Sequence, residues 1–243
     1  EFGDAPSGML FDGPPGTGKT MLANAIANEE GIRLFEVGAD FLMHGTANKQ
    51  AVRMSALFAV AKAMGPSIVF IDECDAVMKN GCTRISHMKR VWQPGASPPA
   101  VLVIGATNAA HTIEAGLLER FTTKVTFKLP DATARRQIIE REIIEQKLTI
   151  EFGDTGLGAL AAATDGKSGR ALVESIIKPV ARRHRRINDG VDPLPPLTLA
   201  CFHEILPEEQ AIALEAASPM QDREKRRLER EAREALVALE MTQ

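Results

Sequence analysis

Three short apolar runs stand out in the first half of the chain: Gly8-Met9-Leu10-Phe11, Ile68-Val69-Phe70-Ile71 and Val101-Leu102-Val103-Ile104. None of them alternates with polar residues. Strands covered on both faces in a parallel sheet have this pattern, because neither side of the pleat meets water. With Arg33–Val37 and Lys124–Phe127, the pattern predicts strands at Gly8–Asp12, Arg33–Val37, Ser67–Asp72, Val101–Ala106 and Lys124–Phe127. Helical stretches lie between them, beginning with Met21–Ala27. Strand and helix alternating in this way predict an α/β doubly wound domain.

Beyond Pro130 the pattern turns wholly helical. Thr133–Lys147 carries Ile138, Ile139, Ile143 and Ile144 at the spacing of one buried face. Gly156–Thr164 is short and alanine-rich. Ser168 is a good N-cap for Ser168–Arg186, whose Leu172, Val173, Ile176, Ile177 and Val180 share one side. Val191–Pro196 is broken by proline into a loop, and Leu199–Leu206 is a last short helix. From Pro219 to the end, six basic and six acidic residues interleave as in an exposed or docking helix. The expected organisation is therefore a sheet domain at 1–130, a small all-helical domain at 131–206 and a charged helical tail at 207–243.

Composition narrows the class only a little. Of 243 residues, 44% are hydrophobic and 25% charged, and the net charge is −3. These are ordinary globular values, with no overall drive toward nucleic acid or membrane. Cys74, Cys82 and Cys201 form no C-x-x-C pair, and no histidine stands at ligand spacing to them. They read as reduced thiols, in the cytoplasm or another reducing compartment, without a structural zinc. No apolar run approaches the ~20 residues of a membrane helix. The chain opens Glu1-Phe2 with no initiator methionine, which reads as a piece of a longer protein, so any anchor would lie in segments outside it.

Chemistry concentrates at strand ends. Gly13-Pro14-Pro15-Gly16-Thr17-Gly18-Lys19-Thr20 fits G-x-x-x-x-G-K-[ST] between a strand and a helix that continues through Met21. In that context the backbone N–H groups cradle phosphate oxygens, and the helix N-terminus adds positive charge. Lys19 reaches the β- and γ-phosphates, and the Thr20 hydroxyl faces Mg²⁺. Asp72 and Glu73 end the third strand, where Asp72 can orient the Mg²⁺ water shell and Glu73 can polarise an attacking water. Asn108 follows another buried strand and can stand near the γ-phosphate, since open parallel sheets present functional groups at their carboxyl ends.

The order of GPPGTGKT, IVFIDE, GATN and LLERF resembles the ATPase module of the AAA family, over roughly Pro6 to Leu206. Ala59–Ile68 is similar to the spastin-like branch, whereas Asn28–Gly31 and Gly38–Phe41 are nearer the FtsH-like pattern. The resemblance implies a five-stranded P-loop parallel sheet in the order 5-1-4-3-2, a helical lid, ATP with Mg²⁺, and assembly with other copies of itself as a hexameric ring acting on a protein substrate. It implies Asn108 as a sensor of the γ-phosphate and Arg120 as an arginine finger for a neighbouring subunit. It also implies that Gly166-Lys167-Ser168-Gly169-Arg170, with Gly169 and Arg170 foremost, packs near the adenine.

Four features depart from the family. Glu119 replaces the first of two arginines often found before Phe121, and a carboxylate there repels phosphate. The segment 41–48 lacks the usual aromatic-Val-Gly of a polypeptide-gripping loop; Met43 or His44 are candidate replacements, with Phe41 expected to pack inward. The stretch from Asp75 to Val101 is shorter than in the family. Twelve residues precede the phosphate loop, which predicts weaker nucleotide binding than a longer chain would show.

Two functions stay open on these residues: an ATP-hydrolysing motor that remodels a protein partner, or a nucleotide-gated assembly scaffold that threads nothing. A nucleic-acid remodeller using Lys178, Arg182, Arg183, Arg185 and Arg186 is less expected, because no aromatic residues interleave with the cations. His203-Glu204 lacks the second histidine of H-E-x-x-H, so the residues carry no zinc-protease motif. Trp92 is expected to be a half-buried packing residue.

Overall fold

The computed structural model describes residues 8–80, 84–93 and 101–217. The charged tail predicted from Pro219, most of the Gln93–Pro99 loop, and Cys82 lie outside the described residues. The chain divides into two compact units between Lys128 and Leu129.

The first unit holds five parallel strands: β1 (Gly8–Asp12), β2 (Arg33–Gly38), β3 (Ser67–Asp72), β4 (Val101–Thr107) and β5 (Thr123–Thr126). Their order is β2-β3-β4-β1-β5, the arrangement implied by the resemblance read from its other edge. The continuous apolar runs are explained by the pleat. Ile68 and Phe70 of β3 join Phe11, Ile104 and Ala106 on one face, packed with Ala23 and Ala27 of helix α1 (Lys19–Glu29). Val69 and Ile71 join Leu10 and Val103 on the other face. That face is covered by α2 (Ala39–Met43), α3 (Ala47–Ala63), α4 (Cys74–Met78), α5 (Ile85–Val91) and α6 (Ala115–Leu118). Each of the four central β3 side chains is at most 1% exposed. Burying one such side chain contributes about 1.5–3 kcal/mol, so β3 is a rigid support for Asp72 and the residues just past it.

Trp92 is more deeply placed than its sequence context suggests. It is 2% exposed, with its ring 4.9 Å from that of Phe121. It shields the floor of the sheet beneath Gly8, where an added Cβ would meet the Trp92 ring at 2.7 Å.

The second unit is helical: α7 (Ala132–Glu145), α8 (Gly153–Ala163), α9 (Gly169–Ala171), a π-helical segment Leu172–Ile177, α10 (Lys178–Ile187), α11 (Ala200–His203) and α12 (Glu208–Ala217). Its core gathers Ile139, Leu157, Leu160, Leu172, Ile176, Val180 and Phe202. Ser168 accepts a hydrogen bond from the Ala171 N–H at 3.3 Å and so caps its helix, as the sequence predicts. The expected isoleucine face of α7 is only partly right. Ile139 and Ile143 are buried, but Ile144 is 67% exposed, because the inward stripe runs through Arg135 and Glu142 instead. Arg135 is tolerated there because its guanidinium donates to the carbonyls of Ala161 and Pro130 and pairs with Asp165. The last predicted helix shortens to Ala200–His203.

Candidate functional site

β1 delivers the chain into the phosphate loop at the carboxyl edge of the sheet. Gly13, Gly16 and Gly18 all have left-handed φ, at 149°, 75° and 100°. Such values are open to glycine and costly to other residues. At Gly13 the constraint is also spatial: a Cβ would lie 2.1 Å from the Phe127 carbonyl oxygen. The Gly13 N–H donates to the Thr107 carbonyl at 3.1 Å, and the Thr17 hydroxyl to the Pro14 carbonyl at 2.8 Å. Among the described residues, the N–H groups of Gly16, Thr17 and Gly18 have no hydrogen-bond acceptor, and α1 has no side-chain N-cap. Unpaired donors at a helix N-terminus are the condition for binding an anion.

Lys19 is 9% exposed, and its ammonium donates to the carbonyls of Gly13 (2.6 Å) and Pro14 (2.8 Å). Burial pushes its pKa below the ordinary lysine value, opposed by the charges of Asp72 and Asp12. A desolvated cation beside open N–H donors fits the phosphates of a nucleotide. A hydroxyl at Thr20 and a carboxylate at Asp72, both oxygen donors and both half-buried, fit Mg²⁺.

β3 ends at Asp72, whose Oδ1 accepts from the Glu73 N–H at 3.0 Å. Glu73 is exposed and adopts φ 52°, ψ 42°, a left-handed conformation uncommon for a residue with a Cβ. α4 starts at the next residue. The Cys74 thiol is held far above the ordinary range by burial and then by the charges of Asp75 and Asp72, so it is inert. β4 pairs Thr107 with Asp12 of β1, and Asn108 is exposed just past the strand. Glu73 and Asn108 thus emerge at the carboxyl ends of adjacent strands, and Lys19 from the loop after the strand beyond.

Two residues that sequence reasoning did not select belong to this edge. The Thr107 hydroxyl donates to Asp75 Oδ1 at 2.5 Å and accepts from the Ala109 N–H at 2.9 Å. The only sequence trace of Asp75 was its place two residues after Glu73.

Other expected residues fall elsewhere. The Arg120 guanidinium donates to the Lys89 carbonyl at 2.9 Å and to the Trp92 carbonyl, at the end of α5, while Glu119 is exposed. Met21 is 71% exposed on α1. Gly169 and Arg170 lie in the second unit, at the helix turn capped by Ser168. Phe41 does not pack inward: it is 56% exposed, with the Arg53 guanidinium 5.3 Å above its ring. The loop after it is anchored by buried Gln50, which donates to the carbonyls of Gly45 (2.8 Å) and Met43. That anchoring leaves Phe41 on the outside. The basic stretch of α10 is likewise less free than its sequence suggests. Arg183 pairs with Glu204, Arg185 reaches Gln146, and His184 is buried against the Pro195 carbonyl.

A phosphate loop after one strand, with paired acids ending the parallel strand two places along the same sheet, defines a P-loop nucleoside triphosphatase. The family model described as "ATPase family associated with various cellular activities (AAA)" matches residues 9–129. The chain is 36% identical over 197 residues to ATP-dependent zinc metalloprotease FtsH 3 of Sphaerobacter thermophilus, covering 76% of this chain and 40% of that protein. It is 32% identical over 176 residues to the spastin homolog of Caenorhabditis elegans, covering 68% of this chain and 34% of that one. The solved AAA domain of FIGL-1 in complex with ADP superposes with a TM-score of 0.68 at 26% identity, over 89% of this chain and 74% of that domain chain. The chain belongs to the AAA family of ATPases, with ATP and Mg²⁺ as its ligands. It spans less than half the length of these two curated relatives.

Proposed function

We propose that the chain is the motor module of a protein that couples ATP hydrolysis to remodelling or unfolding a protein partner, working as a hexameric ring of its own copies. One observation carries this function: Lys19, Asp72, Glu73 and Asn108 issue from three adjacent strands at one edge of a rigid parallel sheet. Lys19 exchanges its two carbonyl partners for phosphate oxygens, and the open loop N–H groups bind the same phosphates. Thr20 and Asp72 hold Mg²⁺, which when bound neutralises charge developing on the transferred group. Glu73 orients the attacking water and Asn108 holds it against the γ-phosphate. Arg120 serves a neighbouring copy's site after leaving the Lys89 and Trp92 carbonyls.

The exposed ring of Phe41 supports a protein substrate, because it offers an aromatic surface that the sequence pattern did not promise. A second function, a nucleotide-gated scaffold, is favoured by one contact: Arg120 is held by backbone carbonyls of its own chain. Hydrolysis measured with and without an unfolded polypeptide separates the two. The motor predicts stimulation that Phe41→Ala removes; an unstimulated rate indifferent to Phe41 contradicts it.

A further inference from the structure

We propose that Thr107 is a positioning residue for hydrolysis, joining the phosphate loop, the catalytic acid and the γ-phosphate sensor through its three polar contacts. This rests on the roles proposed above for Glu73 and Asn108. The Thr107 carbonyl accepts from Gly13 N–H at 3.1 Å, the first residue of the phosphate loop. Its hydroxyl donates to Asp75 at 2.5 Å, two residues beyond Glu73. The same hydroxyl accepts from Ala109 N–H at 2.9 Å, bending the chain around Asn108. Thr107 is 2% exposed and both hydroxyl bonds are partly buried, which limits competition from water.

The link matters because Glu73 is not fixed by the sheet alone. It sits past the end of β3 in a left-handed conformation, and α4 starts directly after it. α4 spans Cys74–Met78, too short to set its own direction. Its far end is held by backbone bonds, Glu114 N–H to the Met78 carbonyl at 2.9 Å and Asn80 N–H to the Thr112 carbonyl at 3.2 Å. Its near end, beside Glu73, is tied to β4 by the Asp75–Thr107 bond. Asn108 follows Thr107 directly, so this bond sets the spacing of the two groups proposed to hold the attacking water. Misplacing such groups by about 1 Å costs about 100-fold in rate. The backbone bonds at the far end do not involve the hydroxyl, so removing it leaves the fold anchored while loosening the site.

The test is steady-state ATP hydrolysis by the full chain with Mg²⁺, beside fluorescent-nucleotide binding and mass in solution. Thr107→Val, of nearly the same shape, and Asp75→Ala are each expected to lower kcat about 10- to 100-fold with nucleotide affinity unchanged. Thr107→Ser, which keeps the hydroxyl, and Asp75→Asn, which keeps an accepting oxygen, retain turnover within about threefold of wild type. The double variant Asp75→Ala/Thr107→Val is no slower than either single one, because both remove the same bond. Wild-type kcat in Thr107→Val at equal assembly, or losses that multiply in the double variant, overturns the inference. If Thr107→Val does not fold, Asp75→Ala against Asp75→Asn decides: equal rates overturn it. If Glu73→Gln and Asn108→Ala also turn over at the wild-type rate, the roles of Glu73 and Asn108 have failed instead.

Discussion

Replacing Glu73 by glycine separates the cost of the site from its use. Glu73 has φ 52° and ψ 42°, and its carboxylate makes no hydrogen bond among the described residues. A left-handed conformation costs a residue with a Cβ roughly 1–2 kcal/mol. Glycine escapes that cost but loses about 0.5–1 kcal/mol of extra chain entropy on folding. Glu73→Gly should thus be more stable than Glu73→Ala, which keeps the Cβ, by about 0.5–1 kcal/mol. Trp92, the chain's one tryptophan, is buried against Phe121 in the same unit, so its fluorescence during urea unfolding reports this unit directly. Neither variant should hydrolyse ATP, because general-base assistance of about 10²–10⁴-fold leaves with the carboxylate. Stability gained as turnover is lost marks strain held for function. Equal stabilities of the glycine and alanine variants would refute the strain, and hydrolysis by either at the wild-type rate would refute its purpose.

Three further outcomes rest on the same contacts. Gly13→Ala drives a Cβ to 2.1 Å from the Phe127 carbonyl and should cost on the order of 3 kcal/mol together with nucleotide binding, read by urea unfolding and nucleotide fluorescence. Lys19 has a folded pKa below its unfolded value, so in the alkaline window between the two the nucleotide-free fold gains stability as pH rises. ATP affinity falls through that window, and Lys19→Arg, which stays charged, should flatten the fall in a binding titration. Glu114 is held below the usual glutamate range, first by its hydrogen bond with Lys89, so its contribution is present above the unfolded value and lost as pH falls through the folded one. Glu114→Gln should remove that part of the acid-side loss seen in Trp92 fluorescence against pH.

What could be read in the sequence was what local pattern decides. β1 and β3 were legible to the residue, because a strand covered on both faces must be apolar throughout. The phosphate loop was legible because its glycines answer to backbone conformation, which neighbours in sequence set. The placement of Phe41 was not legible, because its exposure depends on Gln50 and Arg53 from the next helix. Nor was that of Ile144, because a salt-bridged arginine occupies the inward stripe of α7, and apolar spacing cannot register that. Asp75 and Thr107 are 32 residues apart and meet only through the sheet register, so no motif spacing announces them.

The most direct measurement is ATP hydrolysis by the wild-type chain and by Glu73→Gln, across a range of protein concentrations, with ATP binding and mass in solution recorded in parallel. The account predicts that both bind ATP with Mg²⁺ alike, that wild-type turnover per chain rises as copies assemble and Arg120 reaches a neighbour, and that Glu73→Gln stays inactive at every concentration. Equal turnover by the two proteins at matched concentration and mass would contradict it.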